Sequence, residues 1–222
     1  MLLALDTSTP LVSVAVYDDT ADPGVDAVLA SLTSERPMKH GESVAPLVDQ
    51  ALATSGLDRR DLTGIAVGTG PGPFTGLRVG LVSARVLGLA LGVPVRGLCS
   101  LDAVAGAVGS VGSVDGPFVV VSDARRKELF HASYSADGQR LTGPAVSKPA
   151  DVLAGLPEDT LVVGPGVTVH PDVFVRTAGP HAVDAGVLAR LVATGAAEVT
   201  DPEPIYLRRP DAVAPGRPKR VS

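Results

Sequence analysis

Two short stretches of this 222-residue chain carry residue types that phosphate and metal chemistry would use. Asp6-Thr7-Ser8 closes an apolar run from Leu2 to Leu5, and Asp123-Ala124-Arg125-Arg126-Lys127 follows a second run from Val119 to Val121. An Asp at a strand end beside a tight turn places a carboxylate near a metal and backbone N–H groups near phosphates. Neither turn completes that arrangement. Close approach of backbone to phosphate favours glycine, and no Gly lies between Asp6 and Pro10, while the second turn carries bulky side chains. Gly164-Pro165-Gly166 has room to pack beneath an adenine, although Gly-Pro-Gly after a strand is also an ordinary turn. Positioning and metal binding are nearly all a protein contributes to phosphoryl transfer. The expectation is therefore a vestigial nucleotide turn at Asp6, Thr7 and Ser8, with weak ATP or ADP binding at most and no catalysis. The rival is an ATP-dependent small-molecule kinase using Asp6 as its metal-side carboxylate.

Other chemistries have less to work with. His40, His131, His170 and His181 form no i, i+4 pair and have no Cys partner, so no metal or other cofactor is expected and the histidines read as surface or loop residues. No Gly-x-Ser-x-Gly elbow is present, and a peptidase is the weakest alternative. Cys99 is the single cysteine and sits in an apolar stretch, where it reads as core.

The elements that would position these turns follow from periodicity. Leu2–Leu5, Leu11–Tyr17 and Val25–Leu32 read as strands. Val44, Leu47, Val48, Ala51 and Leu52 then recur at helical spacing, ending at Gly56. Ile65–Val67 is a strand, Gly68–Thr75 a loop, Gly76–Leu91 a helix, Pro94–Leu98 a strand, and a small helix starts at Leu101. The loop segment Gly70-Pro71-Gly72-Pro73-Phe74-Thr75-Gly76-Leu77-Arg78 is stiff, with Thr75 suited to cap the next helix. That helix has only Arg78, Ser83 and Arg85 as polar side chains, and its face through Arg78, Leu81, Val82, Arg85 and Leu89 mixes cations with aliphatics, as protein interfaces do.

Gly106–Pro117 lacks periodicity and reads as a linker, after which the opening pattern recurs. An offset of 117 residues carries Leu2–Asp6 onto Val119–Asp123 and Tyr17 onto Tyr134; Ile65–Gly70 likewise resembles Leu161–Gly166. Two matches in the same order indicate an internal duplication. The expected fold is α/β and actin-like, as in the Hsp70 and sugar-kinase superfamily, with two ribonuclease-H-like halves at residues 1–108 and 117–207 and a flexible basic tail at 208–222.

Composition agrees with a folded protein: 45% hydrophobic, 19% charged, net charge −5. That charge argues against a surface that binds nucleic acid throughout, and seven aromatic residues argue against base stacking as the main activity. Charge is uneven, however: residues 208–222 hold five basic residues against one acid, a local +4 that leaves −9 on the rest. The apolar stretch Leu77–Val95 is broken by Arg78, Arg85 and Pro94, so no membrane span is expected, and the chain reads as cytoplasmic.

Five segments, in order, resemble the TsaB (YeaZ) family: Met1–Ser8, Gly41-Glu42-Ser43, Gly70–Arg78, Asp123–Glu128 and Pro204–Arg208. The likeness covers the chain up to Arg208, and the Gly70–Arg78 string is its most specific part. It departs at His40, which Gly41 and Glu42 separate from Ser43 where members commonly have His-Ser. The resemblance implies a non-catalytic dimerisation subunit of the bacterial tRNA threonylcarbamoyladenosine machinery. Such a subunit would bind and activate a TsaD-type catalytic subunit through the two long helices of its first half, work with a TsaE-type small ATPase, meet tRNA through the complex, and form a homodimer when alone. The residues expected at that interface are Val44, Leu47 and Val48 on one helix and Arg78, Leu81, Val82 and Arg85 on the other.

Overall fold

The computed structural model describes residues 1–22, 25–109, 114–154, 156–180 and 182–208. The basic tail beyond Arg208, and His181, lie outside the described residues. Runs of aliphatic residues form strands because alternate side chains bury on opposite faces. β1 (Leu2–Asp6), β2 (Ser13–Tyr17) and β3 (Val28–Thr33) make an antiparallel meander. α1 (His40–Ser55) leads to β4 (Gly64–Gly68), α2 (Phe74–Leu91), β5 (Val95–Leu98) and α3 (Ser100–Gly109). β4 and β5 add in parallel on the far side of β1.

The second half repeats the scheme. β6 (Phe118–Asp123), β7 (Leu129–Tyr134) and β8 (Arg140–Ser147) form another antiparallel meander. The short α4 (Pro149–Leu153), β9 (Leu161–Val163), α5 (Gly166–Val169) and β10 (Thr177–Ala178) follow, with β9 and β10 parallel to β6. The sheet orders β3-β2-β1-β4-β5 and β8-β7-β6-β9-β10 are the same. This is the actin-like α/β fold, and the 117-residue offset superposes β1 on β6 and β2 on β7.

The chain then returns. α6 (Ala185–Thr194) packs on β1 and β2, and β11 (Val199–Thr200) pairs antiparallel with β5 at the edge of the first sheet. Both lie inside the 117–207 stretch, yet they build on the first sheet. The expected linker is also shorter, because its residues 106–109 complete α3.

Alternation in the first hairpin divides the core. Leu3, Leu5, Val14 and Val16 face α1 and α2, with Val44, Val48, Leu77 and Leu81 packed against them. Leu2, Ala4, Ala15 and Tyr17 face the other way, into a shared layer with α3, α6, Phe118, Val120 and Tyr134. One apolar layer thus joins the halves, and a separate cluster around Val119, Val121 and Phe174 fills the outer face of the second sheet.

α2 begins at Phe74, two residues earlier than expected, and its N-cap is Pro73, so Thr75 lies within the first turn. Its buried face is Gly76, Leu77, Gly80, Leu81, Ala84 and Gly88. Small residues let its backbone lie close to the sheet: a Cβ at Gly80 would stand 2.3 Å from the Thr7 hydroxyl. Length and composition alone would let α2 cross a membrane; here its small-residue face is seated on the sheet.

Candidate functional site

The Asp6 turn is buried by the chain itself. Asp6 Oδ1 accepts hydrogen bonds from the Ser8 backbone N–H (2.8 Å) and the Ser8 hydroxyl (2.7 Å), and Oδ2 accepts one from Ser100 at the start of α3. Thr7 donates its hydroxyl to the Gly76 carbonyl at 2.8 Å and accepts from Gly80 N–H at 3.1 Å, tying the turn to α2. The stiff loop sits directly on Ser8, where a Cβ at Gly72 would come within 2.5 Å of the Ser8 carbonyl oxygen. His40 Nε2 completes the closure, 2.7 Å from the Thr9 carbonyl. His40 is therefore buried, not a surface residue, because it pins α1 to this turn. Asp6, Thr7 and Ser8 are all buried. Burial drives the Asp6 carboxyl above its ordinary range, outweighing the hydrogen bonds from Ser100 and Ser8.

The second Asp turn is open. Asp123 Oδ1 accepts from Arg125 N–H at 2.7 Å, and Arg125, Arg126 and Lys127 follow in left-handed conformation at φ 60°, 55° and 59°. Non-glycine residues pay about 1–2 kcal/mol each for that conformation, so three in a row need a reason. All three side chains are exposed. Between the two turns runs a cleft of about 360 Å³, lined by Ser8, Thr9, Asp123, Arg125 and Thr168. Among the described residues no three His, Cys, Asp or Glu side chains gather as a metal site. Cys99 is buried, and burial, reinforced by Asp102, pushes its thiol up to about 12, far from a reactive thiolate.

Helix α2 leaves aliphatic side chains exposed. Val44, Val48 and Leu81, expected at a partner interface, are core residues, because helical periodicity marks an apolar stripe without saying what it packs on. Leu47 is half-buried against the same cluster. Arg78, Val82 and Arg85 do face outward, and so do Leu89, which the periodic reading put on the same face, and Val86, which it left off. Val82, Val86 and Leu89 are 57%, 61% and 86% exposed, one stripe at i, i+4 and i+7. Beside it, Val86 and Ala90 line a groove of about 260 Å³ with Ala45 and Val48 of α1.

The two arginines are engaged by the chain's own C-terminal strap, residues 201–208. Arg85 donates to the Pro202 carbonyl at 2.6 Å and pairs with Glu203. Arg78 lies over the Phe74 ring at 3.7 Å and donates to the Tyr206 hydroxyl at 2.7 Å, while the Phe74 and Tyr206 rings stack with centroids 5.2 Å apart. Ile205 N–H reaches the Thr69 carbonyl, and Arg208 donates to the Ala124 carbonyl and pairs with Glu128. The strap thus links α2 to the second Asp turn. Only its Pro204–Arg208 segment stood out in the sequence; its pairing with α2, more than a hundred residues away, has no local signal.

Fold and site together define a duplicated actin-like protein whose first Asp turn is buried and whose long helix α2 leaves an aliphatic stripe exposed. Comparison with known proteins supplies the family. A family model described as TsaD, tRNA N6-adenosine threonylcarbamoyltransferase, matches residues 32–177. The Escherichia coli tRNA threonylcarbamoyladenosine biosynthesis protein TsaB is 32% identical over 77% of this chain and 74% of its own length. An uncharacterised Mycobacterium tuberculosis protein is 41% identical over 95% of this chain and 93% of its own. The solved structure of YeaZ from Pseudomonas aeruginosa aligns with a TM-score of 0.72 at 26% identity, covering 93% of this chain and 99% of that one. This chain belongs to the TsaB (YeaZ) family.

Proposed function

We propose that this chain is the non-catalytic scaffold of a bacterial tRNA threonylcarbamoyladenosine complex, docking a TsaD-type catalytic subunit on α1 and α2 and activating it. The observation that carries the reading is the stripe Val82, Val86 and Leu89, three aliphatic side chains left in water on a rigid helix beside an apolar groove. A TsaE-type ATPase and tRNA join through that assembly, and in the partner's absence the stripe closes against a second copy. The complex is cytoplasmic, as tRNA modification requires. The Asp6 turn supports the non-catalytic part, since both carboxylate oxygens are already taken by Ser8 and Ser100.

Light scattering of the purified chain, alone and mixed with the catalytic subunit of the same organism, tests this. A one-to-one complex is expected, and the mixture with the remaining pathway proteins should modify tRNA where this chain alone does not. Val86→Asp with Leu89→Asp should weaken pairing at least tenfold while leaving the thermal midpoint near wild type, because both sites are exposed. An unchanged affinity in that variant would remove the stripe from the interface.

A further inference from the structure

Where the strap meets the second Asp turn, a groove of about 240 Å³ opens, adjoining the cleft between the turns across Pro73 and Arg125 and distinct from the helix-pair groove. Phe74, Phe130, Tyr206, Arg125, Arg126 and Arg208 line it. The chain has seven aromatic residues in all, and three of them stand here. Phe74 and Tyr206 keep 36% and 39% of their surface exposed although they stack on each other. Arg78 lies against the same two rings and Lys127 follows Arg126 in the exposed turn, so the groove and its rim carry five cations, of which Arg125 and Arg208 are paired with Asp123 and Glu128, on a chain whose net charge is −5. The basic residues are held in place: the left-handed turn displays Arg125, Arg126 and Lys127 side by side, and the strap fixes Arg208 beside them.

Exposed aromatic rings beside arginines are the chemistry of single-stranded nucleic acid: bases stack on the rings and phosphates meet the guanidinium groups. We propose that this groove binds single-stranded RNA, with Tyr206 as the stacking platform and Arg125, Arg126 and Lys127 as phosphate contacts. The proposal deepens the scaffold reading and rests on it, giving this subunit its own contact with the unpaired nucleotides of a tRNA. Charge argues against the chain's own tail as the occupant, since residues 209–222 add four basic residues against one acid. An acidic peptide matches the charge but makes no use of the exposed rings.

Fluorescence anisotropy of the full chain with a labelled mixed-sequence single-stranded RNA 12-mer tests it, with heparin and a poly-glutamate peptide as comparison probes. RNA binding is expected at about 1–100 μM, weakening with salt at a log–log slope of about −2 for three phosphate contacts. Tyr206→Ala should weaken RNA binding about tenfold and leave heparin binding unchanged, while Tyr206→Phe, which keeps the ring, should retain it. Arg126→Gln with Lys127→Gln should weaken RNA and heparin alike. No RNA binding at 100 μM, equal binding of poly-glutamate, or a Tyr206→Ala variant that binds RNA normally would each overturn the proposal. Complex formation with the catalytic subunit, measured on the same variants, separates loss of this groove from failure of the scaffold reading.

Discussion

The two Asp turns occupy matching places in the duplication and differ in how far the chain covers them. Asp6 and Asp123 end equivalent strands, β1 and β6, at the same offset that relates the rest of the duplication. Around Asp6 the glycines belong to the neighbours, at 68, 72, 76 and 80, and they let strand, loop and helix backbone press onto the turn and bury Asp6, Thr7 and Ser8. Around Asp123 the strap reaches the Ala124 carbonyl and Glu128, and the turn projects three exposed cations on a strained backbone. The difference teaches where a duplicated nucleotide fold keeps its freedom. A turn sealed into the core is accounted for by stability, whereas a strained and exposed turn is where a functional contact should be sought.

The sharpest way to break this contrast is to remove each carboxylate. Asp6→Ala strands the Ser8 N–H and the Ser8 and Ser100 hydroxyls in a buried site and should cost about 3 kcal/mol. Asp123→Ala loses one backbone bond and one surface ion pair, about 1 kcal/mol. Urea midpoints with unchanged m-values measure both. Equal costs would mean that the first turn is no more sealed than the second. Magnesium-dependent ATP binding by the wild type, lost in Asp6→Ala at a temperature where that variant is folded, would reopen the kinase reading.

How far the sequence carried depended on the range of each interaction. The duplication was legible because strand patterns are local and repeat: Leu2–Asp6 and Val119–Asp123 declare themselves without tertiary information. α1 ended where Gly56 said it would, the left-handed C-cap at φ 70° being a local demand. The exposed stripe of α2 was legible only in part: Val82 and Leu89 were on the expected face, but Leu81 was wrongly added to it and Val86 missed. α2 is apolar nearly all round, so its periodicity fits several faces, and only the packing of Gly80 on Thr7 and Gly88 on Val95 shows that Leu81 points in and Leu89 out. Nor could any window reveal that Ser100 closes the Asp6 turn across 94 residues.

A smaller effect sharpens the description of the sealed turn. Burial holds the Asp6 carboxyl above its ordinary 3.8, so the folded state binds a proton more readily than the unfolded chain. Stability then falls as pH rises from about 4 through the folded-state value, because ionisation in the closed site is disfavoured. Asp6→Asn removes that titration while its amide keeps an acceptor for Ser8 N–H and gains a donor toward Ser100. Relative to wild type, the variant should gain stability between pH 4 and pH 7, read from urea midpoints at each pH. Asp102, also raised by burial, is common to both proteins and cancels in the difference. A difference that does not vary with pH would show that the three hydrogen bonds fully offset the burial.

The smallest effect addresses the open turn. Lys127 holds φ 59° and its side chain is exposed, so its backbone strain is relieved by glycine without disturbing any packing. Relief is worth about 1–2 kcal/mol and the added freedom of the unfolded chain takes back about 0.5–1. Lys127→Gly should therefore stabilise by about 0.5 kcal/mol, a rise of about 1–2 °C in Tm for a chain of this size. Lys127→Ala is the control: it removes the same charge and keeps the strained backbone, so its midpoint should stay near wild type. If glycine stabilises and alanine does not, the strain is real and the lysine is retained against the interest of stability. Both variants should then lose RNA affinity to a similar degree, since both lack the ammonium group, and that shared loss would identify what the strained turn is for.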